Sequence, residues 1–143
     1  MLVISGRVWA FDTKKPLAGA LLDLWQVDHQ GRYSVGNSDF KNRARLLTAE
    51  DGAYEFETIH PVPYQPNPQM WRSPHIHFIA QCNGYQRLIS EMFFKDDPKQ
   101  DVDWLFHPAL VVPVERKEIN GQPVEFAVFD IVLAADAGGN KMN

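Results

Sequence analysis

Cysteine is nearly absent from this chain. Cys82 is the only one among 143 residues, so no disulfide can form within the chain, which favours a reducing, cytoplasmic location. An excess of positive charge is lacking too, because 14 Lys and Arg stand against 18 Asp and Glu and leave a formal net charge of −4. A chain without a basic field is a poor match for nucleic acid, so we expect no such partner.

Long apolar runs are also missing. No stretch approaches the roughly 18 to 20 apolar residues that span a membrane. The first residues, "MLVISGRVWAF", lack the basic and apolar regions of a secretion signal. We therefore expect neither a membrane partner nor export. Ten prolines and nine glycines, spread along the chain, further exclude long helices.

Short runs rich in β-branched and aromatic residues are what the chain does contain, and they alternate with turn signals such as Asn120-Gly121. About eight such runs predict an all-β fold, an antiparallel β-sandwich over residues 1–135, followed by a flexible tail at 136–143. The only helical turn is expected at 101–106, and the longest irregular loop at 61–73. The predicted strands are 2–11, 20–27, 45–48, 54–58, 75–81, 88–94, 111–115 and 124–133.

Two histidines stand out in "SPHIHF". Side chains alternate along a strand, so His75 and His77 point to one side, about 6.6 Å apart along the chain. Their imidazoles could meet at one metal ion. A hydrogen-bonded polar seam and a solvated strand face are the alternatives, and the spacing alone does not choose among them. Tyr33 and Tyr64 lie in flanking loops, where tyrosines are more often half-buried packing residues.

Four segments, in this order, resemble the intradiol ring-cleavage dioxygenases, the family of catechol and protocatechuate dioxygenases. They are "SGRVWAFDTKKPLAGALLDLWQVDHQGRY", "LLTAEDGAYEFETIHPVPY", "WRSPHIHF" and "LISEMFFKDDP". The resemblance implies an Fe(III) centre that is held by two tyrosines and two histidines. Carried over onto this sequence, the implied ligands are Tyr33, Tyr64, His75 and His77. Tyr54, His29, His60 and His107 match no ligand of the family.

The resemblance also implies a reaction. A small aromatic diol and O2 would react to give a cis,cis-muconate-type dicarboxylate, with Tyr64 leaving the metal to act as a base. Arg72 would stabilise negative charge on the ring, and Trp25 would form a pocket wall. Glu91 stands where the family often has glutamine. Its carboxylate could pair with Arg72 and mute its charge, or accept a hydrogen bond from an extra substrate group.

Two other readings compete with this one. A transthyretin-like binding module shares the sandwich but has no use for the tyrosines and histidines together. A zinc hydrolase would show a carboxylate beside the histidines, and none is adjacent in sequence. The ring substituents of the substrate are left open, although no basic cluster suggests a carboxylate clamp. Nothing before Leu2 matches the helical dimer segment of catechol dioxygenases, so any homo-oligomer is expected to use sandwich surfaces.

Overall fold

A computed structural model describes residues 1–34 and 41–137, which form two five-stranded sheets and a small two-stranded sheet. The expected tail falls mostly on residues 138–143, which lie outside the described residues. No helix within the described ranges is long and apolar enough to cross a membrane. The strands are β1 (Leu2–Ala10), β2 (Leu21–Trp25), β3 (Arg43–Leu47), β4 (Ala53–Thr58), β5 (Tyr64–Asn67), β6 (Met70–Arg72), β7 (His75–Gln81), β8 (Leu88–Phe94), β9 (Val111–Val112), β10 (Glu115–Ile119), β11 (Gln122–Val128) and β12 (Ile131–Leu133).

The sandwich prediction is confirmed, but both large sheets are mixed rather than purely antiparallel. In the first sheet the order is β10-β11-β1-β12, and β4 also pairs with β1. Strand β1 runs antiparallel to β4 and parallel to β11 and β12. The first half of β1 pairs with β11, and its second half pairs with β12. The second sheet has the order β3-β2-β7-β8-β9 and is antiparallel except for the β8–β9 pair.

Three local predictions are wrong. The expected strand 111–115 is divided into β9 and β10, since Pro113 between them has no N–H for a strand ladder. Residues 61–73 contain the paired strands β5 and β6 and are not one irregular loop. Residues 101–106 form hydrogen-bonded turns, and the only helix in the described part of the chain is a 3-10 turn at Pro108–Leu110. His107 caps that turn by accepting a hydrogen bond on Nδ1 from the Ala109 N–H at 3.1 Å.

The two faces of β7 have opposite characters. Ile76 and Phe78 point into the core between the sheets, where each is 1% exposed. They pack in a cluster with residues of both large sheets. His75 and His77 lie on the other face of the same strand, as the alternation predicts. The core therefore fixes the side of the sheet on which the two imidazoles stand.

The outer face of the second sheet carries one continuous row of side chains. Trp25 pairs in register with Arg43 on one side and with His77 on the other, and His77 pairs with Glu91. Residues in register on adjacent strands project to the same face. An arginine, a tryptophan, a histidine and a glutamate therefore stand side by side across β3, β2, β7 and β8. We call this row the outer ladder.

Candidate metal centre

Four side chains, one of which is His77 of the outer ladder, meet on the outer face of the second sheet. The Tyr33 hydroxyl lies 2.6 Å from the Tyr64 hydroxyl, 2.8 Å from His77 Nε2 and 3.4 Å from His75 Nε2. The two Nε2 atoms are 3.0 Å apart. Two oxygen donors and two nitrogen donors, from three separate segments of the chain, thus converge on one small volume. The structure brings together all four residues that the resemblance implied as ligands.

A tight turn places Tyr33. The Asp28 carboxylate accepts hydrogen bonds from the N–H groups of Gln30 and Arg32, at 2.8 Å and 3.0 Å. Gly31 completes the turn with a φ of +76°, a conformation that residues with a Cβ rarely adopt. A Cβ on Gly31 would also lie 3.1 Å from the Cβ of Tyr64. The glycine therefore lets the two tyrosine-bearing segments approach each other.

The small β5–β6 sheet places Tyr64. Tyr64 pairs with Arg72 in that sheet, and Arg72 is followed after two residues by His75 on β7. The rings of Tyr33 and Tyr64 meet edge to face, with centroids 5.5 Å apart. This pairing holds the second phenol above the histidine strand, which a disordered loop could not do.

The imidazoles are prepared as neutral ligands. His75 Nδ1 lies 2.6 Å from the Ser73 carbonyl oxygen, to which it can only donate, so its Nε2 keeps a lone pair facing the tyrosines. Burial lowers the pKa of His75 to about 3 and that of His77 to about 4. Trp25 stacks on the His77 ring, with centroids 5.0 Å apart and planes inclined by 7°. Both imidazoles are thus uncharged and oriented at neutral pH.

The phenols need a cation. Burial, and then the hydrogen bond to Tyr64, raise the pKa of Tyr33 above its usual value of 10, and burial also raises the pKa of Tyr64. Neither phenol would ionise at neutral pH in this environment without a strong positive charge between the donors. Two hard oxygen donors and two neutral imidazoles fit a ferric ion, whose charge they would neutralise in large part.

A buried charge network supports the site. Arg72 is 5% exposed and bonds through its guanidinium to the Glu91 carboxylate and, from Nε at 3.1 Å, to Asp103. The Asp103 carboxylate also accepts from Ser73, from the backbone N–H at 2.9 Å and from the hydroxyl at 2.8 Å. Because the Ser73 carbonyl orients His75, this network extends to the candidate ligands. The ion pair of Arg72 with Glu91 that the sequence hypothesis required is present.

A carboxylate stands near the histidines in space, although none is adjacent to them in sequence. Glu91 Oε1 lies 3.6 Å from His77 Nδ1, because β8 pairs with β7 in register at these two residues. Together with His75, they form a group of side chains whose ligand atoms all lie within 4.8 Å of one another. Adjacency across strands is invisible in the order of residues along a chain.

The remaining aromatic and histidine predictions can be placed as well. Tyr54 is buried in the core and donates a hydrogen bond to the Phe129 carbonyl. His29 is exposed, and His60 lies between two carboxylates away from the site. Sequence reasoning missed Asp103 and Arg43. Asp103 is 30 residues from Ser73, and only the repeated acidic residues of "KDDPKQDVD" offered any signal for it.

The fold and the site define a β-sandwich in which two tyrosines and two histidines form a candidate metal centre. The family model described as "Dioxygenase" matches residues 1–135. A chlorocatechol 1,2-dioxygenase from Rhodococcus opacus is 33% identical over 138 residues, covering 82% of this chain and 54% of the relative. A protocatechuate 3,4-dioxygenase beta chain from Burkholderia cepacia is 34% identical over 116 residues, covering 73% of this chain and 49% of the relative. This chain belongs to the intradiol ring-cleavage dioxygenase family.

Solved structures agree with the assignment. The crystal structure of a 3-chlorocatechol 1,2-dioxygenase from Rhodococcus opacus superposes with a TM-score of 0.87 at 27% identity, covering 94% of this chain and 60% of that one. The dioxygenase domain of a dioxygenase carbohydrate-binding protein fusion from a Streptomyces species superposes with a TM-score of 0.76 at 33% identity. The superposition covers 94% of this chain and 80% of that one. The chain spans about half the length of the curated relatives cited here.

Proposed function

We propose that residues 1–135 form a catalytic unit that cleaves a catechol-type diol with O2 between its two hydroxylated carbons. Ferric iron, held by Tyr33, Tyr64, His75 and His77, would be the cofactor, and a cis,cis-muconate-type dicarboxylate the product. The observation that carries the proposal is the convergence of the two phenol oxygens and the two Nε2 atoms. Family membership supports the same reaction class.

The four side chains have distinct tasks in this proposal. When bound, ferric iron supplies the positive charge that ionises the phenols and a chelated diol and draws electron density from its ring. Tyr64 would be the base, because its phenol oxygen could take a proton from a hydroxyl of the diol. Tyr33 is held by the turn at Gly31 and stays in place. His75 and His77 remain neutral ligands because burial lowers the pKa of each.

Arg72 and Glu91 act on the ring in this proposal. A guanidinium beside the site would stabilise negative charge that develops on a ring carbon during cleavage. Glu91 bonds to that guanidinium and so lowers the charge available to the substrate. Asp103 holds the other edge of Arg72 and is a positioning residue, since it reaches the site only through its neighbours.

One observation favours a second candidate, a hydrolase or an Fe(II) enzyme that uses His75, His77 and Glu91 as ligands. Glu91 is, however, already bonded to Arg72, whereas the Nε2 atoms of both histidines face the tyrosines. The two candidates differ in metal and in colour. Zinc or ferrous iron without bound phenolate would give no visible absorption from the tyrosines.

The deciding experiment is a visible absorption spectrum of the purified protein with its iron and zinc quantified, before and after anaerobic addition of catechol. We expect about one iron per chain, because the four donors form a single site. We also expect a phenolate-to-iron band that shifts when the diol binds. A Tyr33→Phe variant should lose or strongly alter the band. A colourless protein that takes up zinc and no ferric iron would contradict the proposal and favour the histidine–glutamate site.

A further inference from the structure

A groove leads away from the candidate metal centre along the sheet. Its cavity of about 430 Å³ is lined by Tyr33, Tyr64 and His77 at one end and by Trp25 and Arg43 at the other. A diol chelated between the tyrosines and His77 would thus share this cavity with an arginine.

The outer ladder gives the distance between the two ends. His77 on β7 and Arg43 on β3 are separated by β2, so their backbones lie about 10 Å apart, which is two interstrand spacings. Trp25 stands between them and stacks on the His77 ring. A substituent that extends from the ring of a bound diol would therefore cross the indole and reach the arginine.

Within the described residues, Arg43 lacks the oppositely charged partner that its neighbours have. Arg45, two residues further along β3, bonds through Nε to Asp23 at 2.7 Å. Glu91, at the opposite end of the ladder, is paired with Arg72. Among residues 1–34 and 41–137, no carboxylate lies within ion-pair distance of Arg43. The groove thus ends at a guanidinium whose planar fork matches a carboxylate.

We propose that Arg43 is a specificity-determining residue that binds a carboxylate on a short side chain of the diol. Catechols that carry such a chain are then preferred over neutral ones of the same length. The inference rests on the proposed function, since it requires the diol to lie at the metal centre. The sequence shows no basic cluster that suggests a carboxylate clamp, but a single arginine in the groove requires no cluster.

The test compares two ligands of the same chain length, of which only one carries a carboxylate. Dihydrocaffeate has a carboxylate on a two-carbon chain, and propylcatechol is its neutral counterpart. Anaerobic titration of the iron-loaded protein, followed by visible absorption, gives a Kd for each, and turnover gives kcat/KM. We expect the wild type to bind dihydrocaffeate about five- to tenfold more tightly, as a partly desolvated arginine–carboxylate pair would allow, with the preference shrinking at high salt.

Arg43→Gln should abolish this preference and leave the affinity for propylcatechol unchanged. Arg45→Gln is the matched control, because it removes the same charge from the same face of the same strand, and it should keep the preference. An equal ratio of the two Kd values in the wild type and in Arg43→Gln would overturn the inference while leaving the proposed function intact. A wild type that loads iron but binds neither diol would overturn both.

Discussion

The histidines of this protein occupy two contrasting environments. His75 and His77 are surrounded by a carbonyl, two phenols, a tryptophan and each other, and burial lowers the pKa of each below its usual range. His60 has a carboxylate at each nitrogen, with Nε2 2.8 Å from Asp97 and Nδ1 2.9 Å from Glu125. The hydrogen bond to Asp97 is the main reason that the pKa of His60 is raised.

The same side chain therefore does opposite work at the two places. A neutral imidazole with an exposed lone pair can bind a metal, whereas two flanking carboxylates favour the protonated form of an imidazole, as the raised pKa of His60 indicates. Position in the fold decides which of the two forms is favoured. His60 follows β4 and faces Asp97, which comes after β8, and Glu125 on β11. Glu91 lies near His77 but does not raise the pKa of the site histidines above the usual range, because its carboxylate is paired with Arg72.

The largest expected effect comes from exchanging the two kinds of histidine for glutamine. His75→Gln removes a neutral nitrogen donor, so we expect loss of bound iron and of visible colour, with activity reduced more than about 100-fold. His60→Gln should retain iron and colour, because His60 does not face the site. Iron content and the visible spectrum measure both variants. Stoichiometric iron in His75→Gln would show that this histidine is not a ligand.

The next largest effect is expected from substituting an aspartate in each region, Asp103 near the candidate metal centre and Asp97 beside His60. Asp103 has a side chain that is 0% exposed and pairs with buried Arg72, so Asp103→Asn should destabilise the fold by about 3 kcal/mol. It should also weaken iron retention, because Asp103 holds Ser73, whose carbonyl orients the proposed ligand His75. Asp97→Asn removes a more exposed partner of His60 and should cost about 1 kcal/mol. Urea unfolding with iron quantification distinguishes the two, and equal losses would contradict the difference in burial.

A smaller effect is expected at Glu91, the carboxylate closest to the site histidines. Glu91→Gln keeps a hydrogen-bonding partner for Arg72 but removes its negative charge, so turnover and the range of accepted diols should change by about two- to fivefold. Iron content should stay the same, because Glu91 is not one of the four proposed donors. A full loss of iron would support the histidine–glutamate alternative. An unchanged turnover and substrate profile would exclude both roles suggested for this residue.

The smallest effect is a pH dependence of stability that belongs to His60. Its folded-state pKa is raised above 6.5, so the stabilisation is fully present below pH 6.5 and is lost as pH rises through the raised value. The difference in unfolding free energy between wild type and His60→Gln should then fall by about 1 kcal/mol or less across that range. Urea denaturation at several pH values measures it. A difference that grows with pH would mean that the pKa is lowered.

The sequence predicts the local geometry of the site residues better than it predicts which residues of other strands lie beside them. Alternation in "HIHF" correctly placed the two imidazoles on one face, because a β-strand has only two faces. The family motifs named Tyr33 and Tyr64, whose meeting depends on the turn at Gly31 and on the β5–β6 pair. The proline-rich composition of 61–73 had suggested an irregular loop instead, since strand pairing between such short segments depends on tertiary contacts.

Contacts across strands account for what could not be predicted. Arg43 and Glu91 join the outer ladder only through the registers of β2, β7 and β8. Asp103 reaches Ser73 through a turn whose path no local propensity specifies. The parallel pairing of β1 was missed for the same reason, because periodicity indicates a strand but carries no information about the direction of its partners.

The parallel pairing of β1 has a consequence for how the chain acquires its structure during synthesis. Leu2 is aligned with Glu125, and Ala10 with Leu133, so β11 and β12, which are synthesised long after β1, both pair with it. Until those strands leave the ribosome, β1 can pair only with β4, and one of its edges stays open. Closing contacts over such a long separation slows folding and delays the complete sheet until β12 has been synthesised.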